Sequence, residues 1–151
     1  MSDDNIPAQP KRPSVLFSRS EQATPQPTPR RKPVSFILLG GEPGIGKSTL
    51  STQIAQHVPQ TIYFSGEESI HQIGLRIARL AGKKEAEVEL SNETNAEVIA
   101  ATIKKTKPPL VIVDSIQTIR SSQVESEPGN ISQVRACATI LLDAAKTSGT
   151  A

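Results

Sequence analysis

The chain has 151 residues, with 17 Lys and Arg against 15 Asp and Glu and a formal net charge of +2. That length allows one domain of modest size, and so small a charge is no argument for a nucleic-acid partner by itself. A single cysteine, Cys137, excludes an internal disulfide and a cysteine-based zinc site, and no apolar run approaches the roughly 18 residues of a membrane span.

The first 33 residues differ from the rest. They hold seven of the twelve prolines and scatter Lys11, Arg12, Arg19, Arg30, Arg31 and Lys32 among Ser, Thr and Gln. Val15-Leu16-Phe17 is their main apolar clump, too little to offset the entropy of ordering the segment. A disordered, Pro-rich basic arm is therefore expected over 1–33, and a foldable domain over 34–151. The arm lacks the apolar centre of a secretory signal, and Asp3, Asp4 and Glu21 argue against a transit peptide. A cytoplasmic location is the expectation.

In chain order, Val34–Leu39 is a short apolar run that reads as a buried parallel strand, ending at Gly40-Gly41. Ser48–Val58 has Leu50, Ile54 and Val58 four apart, which predicts a helix with that face inward and a stop at Pro59. Thr61–Ser65 is a second strand. Ser69 and Gln72 form a capping-box pair before Ile70, Ile73, Ile77 and Leu80, a second helix that closes at Gly82. Glu87–Leu90 reads as a short strand. Asn95 caps a third helix to about Lys105 with Val98, Ile99 and Ile103 inward, broken by Pro108-Pro109. Leu110–Val113 is another buried strand, running into Asp114. After a polar loop Asn130 caps the last helix, with Val134, Ala138, Leu141 and Ala145 on one face and Cys137 beside it as a small core residue. Strands alternating with helices predict an α/β fold with a parallel sheet and flanking helices, a sheet short of strands.

The strongest motif is Gly41-Glu42-Pro43-Gly44-Ile45-Gly46-Lys47-Ser48-Thr49, which matches the phosphate-loop pattern in full. Glycines let backbone N–H groups approach phosphates without a Cβ in the way. Lys47 supplies a point charge to the β- and γ-phosphates, the Ser48 hydroxyl ligates Mg²⁺, and the helix that follows points its free donors at the anion. ATP with Mg²⁺ is the ligand expected. Asp114, at the end of an apolar strand, delivers a carboxylate to the sheet edge where such a metal sits, although many strands end in Asp for turn reasons. Glu67 and Glu68 follow Thr61–Ser65 directly. Their spacing leaves two readings open, a carboxylate that handles the attacking water or a pair that stabilises the next helix through its dipole. His57 and His71 have no metal-ligand spacing and read as surface helix residues.

The order of "GGEPGIGKSTL", "YFSGEES", "SNET", "VIVDSIQT", "EPGNISQVRACA" and "LLDAAK" resembles the RecA-type ATPase core of the bacterial RadA/Sms DNA-repair family over residues 36 to 149. The resemblance implies a P-loop ATPase that binds single-stranded or branched DNA, hydrolyses ATP and acts in recombination and branch migration, as a hexamer. It carries the phosphate loop onto Gly41 to Thr49, the catalytic glutamate onto Glu67, the metal carboxylate onto Asp114, and γ-phosphate sensing onto Ser115 and Gln117. A DNA-facing loop falls on Ser121 to Asn130. Three departures accompany it. The family's four-cysteine zinc module has no counterpart here, a Pro-rich arm stands before the first strand, and Ala151 comes before the remaining core strands. The expectation is thus a partial RecA-like core, with a non-hydrolysing nucleotide-binding remnant as the alternative. Another RecA-like ATPase, of clock or helicase type, is a further alternative, against which "DSIQT" and "PGNISQVR" speak.

Overall fold

All five residues of β1 (Thr61–Ser65) are buried, and the other elements are arranged around this strand. The computed structural model describes residues 36–81 and 87–151. The arm expected over 1–33, Val34, Ser35 and the closing Gly82 lie outside the described residues. Around β1 come α1 (Lys47–His57), α2 (Ile70–Ala81), β2 (Val88–Ser91), α3 (Ala96–Thr106), β3 (Val111–Asp114) and α4 (Ile131–Ser148). The three strands form one parallel sheet in the order β2–β1–β3. Thr61 stands opposite Val88 on one side, and Ile62 opposite Val111 and Ser65 opposite Asp114 on the other. No described helix is long and apolar enough to cross a membrane.

A strand with neighbours on both edges and helices on both faces must be apolar throughout, and β1 is built of β-branched and aromatic residues with one small hydroxyl at each end. Alternation along it divides the core. Ile62 and Phe64 pack with Ile99, Ile103, Ile119, Cys137 and Leu141 under α3 and α4. Tyr63 faces the other way, into a smaller cluster with Ala55 of α1 and Ile73 of α2. The helix starts follow the expected chemistry. Asn95 accepts from the Val98 amide at 3.0 Å, Asn130 from the Ser132 amide at 3.2 Å, and Ser69 and Gln72 exchange bonds at 3.3 and 3.4 Å.

Three helix faces are rotated from those expected. In α1 the buried positions are Thr52 and Ala55, while Leu50 and Ile54 are nearly half exposed. The sheet side of α1 meets the bulky Tyr63, and small residues allow that close approach. In α3 the buried stripe is Ala96, Ile99, Ala100 and Ile103, which turns Val98 outward. In α4 it is Gln133, Cys137, Leu141, Ala144 and Ala145, so Cys137 lies at the centre of the contact, and Val134 and Ala138 at its margin.

The strand expected over 34–39 is not formed in its described part. Residues 36–42 have no regular structure, and Phe36, Ile37, Leu38 and Leu39 are 45, 83, 76 and 47% exposed. An apolar run becomes a strand only where another strand satisfies its N–H and C=O groups. Among the described residues none lies beside it. The outer edge of β3 is met by Ala151, whose carbonyl accepts from the Val111 amide at 2.8 Å and whose amide donates to the Pro109 carbonyl at 3.2 Å.

The connection from β3 to α4 is fixed by two side chains. The buried Gln133 amide donates to the carbonyls of Ser121, Val124 and Ser126 at 3.2, 2.9 and 2.8 Å, and its oxygen accepts from the Ser121 amide at 2.9 Å. Glu97, in the first turn of α3, accepts through Oε1 from the Ser121 hydroxyl at 2.7 Å and from Ser122. Its Oε2 is buried without a partner among the described residues. The Ser121 hydroxyl holds the Glu97 carboxyl below its usual range, with burial opposing and Ser122 adding to the effect. Gln133→Leu is expected to leave those loop groups unpaired and cost about 1–3 kcal/mol in urea denaturation, with loss of amide protection confined to residues 121–126. Because folding lowers the Glu97 pKa, its ionised form stabilises the native state at neutral pH. That contribution disappears as pH falls through the ordinary carboxylate range to the depressed native value. A plot of Tm against pH for Glu97→Gln should accordingly start lower at pH 7 and fall less steeply on its acid side than the wild-type plot.

Candidate functional site

The register that places Ser65 opposite Asp114 brings two loops together at the C-terminal edge of the sheet. The Gly66 amide donates to the Asp114 carbonyl at 3.0 Å, which ties the loop after β1 to the end of β3. Gly66 is also a steric requirement, because a Cβ there would lie 2.6 Å from the Thr118 Cβ. Thr118 in turn donates through both its amide and its hydroxyl to the Ser115 carbonyl, at 3.1 and 2.8 Å. The Asp114–Ser115 peptide is cis.

The two glutamates that spacing left equivalent have different surroundings. Glu68 receives both its oxygens' bonds from Arg76 Nη2, at 2.7 and 2.6 Å, and its backbone is clasped by Ser65 Oγ. The carboxylate in turn raises the Arg76 pKa further, chiefly through this hydrogen bond. Glu68 is thereby committed to fastening the start of α2. Glu67 is exposed, and its Oε1 accepts from the Ser115 hydroxyl at 2.5 Å, next to Asp114. Its Oε2 has no hydrogen-bond partner among the described residues. The structure therefore brings Glu67, Asp114 and Ser115 together and leaves Gln117 exposed on the following turn.

The loop 41–49 runs into α1 with Gly44 and Gly46 at φ of 80° and 101°, values that side chains rarely adopt. A Cβ at either would meet nothing within 4 Å, so both positions face open space. Lys47 Nζ turns back into that loop and donates to the carbonyls of Gly41 and Glu42, both at 2.8 Å. Glu42, Pro43, Ile45 and Thr49 are exposed, and Ser48 is half buried. Gly46 caps α1 with no side-chain acceptor, so the first amides of the helix remain open to an anion.

A chain of hydroxyls joins the two halves. Thr52 Oγ1 donates to the Ser48 carbonyl at 2.6 Å, and Ser51 Oγ lies 3.2 Å from both that carbonyl and the Tyr63 hydroxyl. Tyr63, fully buried, donates to Asp114 Oδ2 at 2.7 Å. Burial pushes the Tyr63 phenol well above its ordinary range, and the Asp114 carboxylate adds to this, so the hydroxyl keeps its proton. Sequence reading placed Tyr63 only within an apolar strand and gave Ser51, Arg76, Glu97 and Gln133 no role. The one available signal was a hydroxyl-bearing aromatic at the centre of an otherwise apolar buried strand, which demands a polar partner.

The donor set suits a magnesium nucleotide. Mg²⁺ is held by one or two protein oxygens with phosphates and waters, and the half-buried Ser48 hydroxyl and an Asp114 carboxylate with Oδ1 unpartnered among the described residues match that demand. No group of three or more His, Cys, Asp or Glu side chains suited to a metal occurs among the described residues. His57 and His71 are exposed on α1 and α2.

Residues 6–151 match the family model described as AAA domain. The chain is 44% identical over 119 residues to the DNA repair protein RadA of Bacillus subtilis (strain 168), covering 76% of this chain and 26% of that protein. It is 46% identical over 126 residues to the DNA repair protein RadA of Brucella abortus (strain 2308), covering 78% and 27%. With the DNA repair protein RadA of Streptococcus pneumoniae (strain ATCC BAA-255 / R6) it shares 43% over 122 residues, covering 79% and 29%. The chain thus spans a little over a quarter of the length of these relatives. It belongs to the AAA domain family and, within it, to the group of the bacterial RadA proteins.

Proposed function

We propose that this chain binds ATP with Mg²⁺ through residues 41–49 and hydrolyses it as the DNA-dependent core of a repair and recombination protein that moves branched DNA. The observation that supports the reading best is the sheet edge where Asp114, Ser115 and Glu67 stand together, joined through Tyr63 and Ser51 to the helix that starts with Lys47 and Ser48.

In this reading Lys47 exchanges two carbonyl acceptors for phosphate oxygens, and the amides around Gly44 and Gly46 donate to the same phosphates. The Ser48 hydroxyl and the Asp114 carboxylate hold Mg²⁺, which supplies neutralisation of charge on the phosphates when bound. Ser115 orients Glu67 through Oε1, leaving Oε2 to take a proton from the attacking water. Arg76 keeps Glu68 out of that role. Loop 121–130, clamped by Gln133 and Glu97, is the surface assigned to single-stranded or branched DNA. That assignment draws on the relatives, which are named as DNA repair proteins, and not on local charge, since the loop carries Glu125 and Glu127. A hexameric ring in the cytoplasm is the assembly that goes with the reading.

One observation favours a second reading, binding without turnover. Phe36–Leu39, the segment that leads into the phosphate loop, is not joined to the sheet that carries Asp114 and Glu67. Phosphate release with single-stranded DNA present separates the two.

Lys47→Ala is expected to lower the affinity for a non-hydrolysable ATP analogue by at least tenfold in calorimetry, and unchanged affinity would refute the phosphate-loop reading. Glu67→Gln should keep that affinity and reduce phosphate release by about 10²–10⁴-fold. If wild type releases no phosphate with DNA present, the non-hydrolysing reading takes its place.

A further inference from the structure

Tyr63 sits where a phenylalanine would fill the same space. It is fully buried between α1 and α2, packed with Ala55 and Ile73. A buried hydroxyl costs free energy unless it is partnered, so its presence needs a reason beyond packing. Its partner is the carboxylate that ends β3, taken at Oδ2 and not at Oδ1. The same hydroxyl also meets Ser51, one turn along α1 from Lys47 and Ser48, and Ser51 lies within reach of the Ser48 carbonyl. One phenol thus touches both elements that carry the proposed metal donors.

A free carboxylate at a strand end rotates about its terminal torsion, which is broad and two-fold. The Tyr63 bond removes that freedom and commits one oxygen, leaving the other without a partner among the described residues. Groups that orient a ligand by a hydrogen bond to its second atom raise metal affinity without touching the metal. We propose that Tyr63 is a positioning residue for Asp114, presetting its carboxylate for Mg²⁺ and coupling it through Ser51 to the phosphate-loop helix. This rests on the magnesium-nucleotide reading of residues 41–49 and Asp114. Were Tyr63 a core residue with a merely satisfied hydroxyl, its loss would weaken the fold and lower nucleotide affinity to the same degree with and without metal.

The test is ATP-analogue binding by calorimetry in excess Mg²⁺ and in excess EDTA, for wild type, Tyr63→Phe and Asp114→Asn. Tyr63→Phe should keep its EDTA affinity within about twofold and lose about 10–100-fold of the gain that Mg²⁺ confers. It should add little further loss when combined with Asp114→Asn. An equal drop in both media, or an unchanged magnesium gain, overturns the proposal. Should Tyr63→Phe not fold, wild type carries its own probe, because Tyr63 is the only tyrosine in a chain without tryptophan. Its emission is expected to change when Mg²⁺ is added to the analogue complex and to stay constant with analogue in EDTA. Emission indifferent to the metal overturns the proposal equally. A wild-type chain that binds no analogue in either medium defeats the nucleotide reading itself, and the inference with it.

Discussion

The parallel pairing of β1 with β3 fixes the geometry on which both the core and the site depend. With Ile62 opposite Val111 and Ser65 opposite Asp114, the strand ends coincide, and the loops that follow must leave the sheet at one level. A slip by one residue would exchange the faces of β1, sending Ile62 and Phe64 toward α1 and α2 and Tyr63 toward α3 and α4. The two clusters differ too much for that exchange. Among the described residues one side holds ten buried in the cluster around Ile99 and Leu141, and the other three, Tyr63 among them. Burial on the larger side therefore sets the register, and the register sets the distance between Glu67 and Asp114.

The same constraint explains which features were readable in advance. Thr61–Ser65 was legible to the residue because a strand buried on every side leaves an unbroken apolar signature. Asn95, Asn130 and the Ser69–Gln72 pair were legible because capping is local chemistry, decided within four residues. Helix faces were less so. In α1 and α4 the buried positions include Thr52 and Gln133, polar residues whose partners lie outside any apolar pattern. Thr52 is satisfied within its own helix, and Gln133 by a loop up to 12 residues away. Apolar periodicity points away from such residues. The run before the phosphate loop shows the complementary failure. Composition gives Phe36–Leu39 the capacity to be a strand, and capacity alone supplies no neighbour.

For the site, motif spacing marked Lys47 and Ser48, which start α1, and Asp114 and Glu67, which stand at and just beyond the ends of β3 and β1. Spacing was silent on how Glu67 and Glu68 divide their tasks, because the answer depends on Arg76, eight residues beyond Glu68, and on Ser115, 48 residues beyond Glu67. One ion pair, both carboxylate oxygens on Arg76 Nη2, fastens Glu68 to α2. One serine hydroxyl holds Glu67 there. Differences of this kind arise from tertiary placement and leave no trace in local sequence.

The two halves of the site are also anchored unequally. Asp114 and Glu67 stand on strands and loops tied into the sheet by backbone bonds, whereas residues 36–46 are exposed and without regular structure up to the start of α1. What ties Lys47 and Ser48 to the sheet is α1 itself, through Ala55 and the Ser51–Tyr63 contact. Gln56 adds a bond to the Ile77 carbonyl of α2 at 2.7 Å, so the far end of α1 is fastened as well. The phosphate loop is thus positioned from its C-terminal side, by small residues and hydroxyls on α1, and not from the apolar run that precedes it.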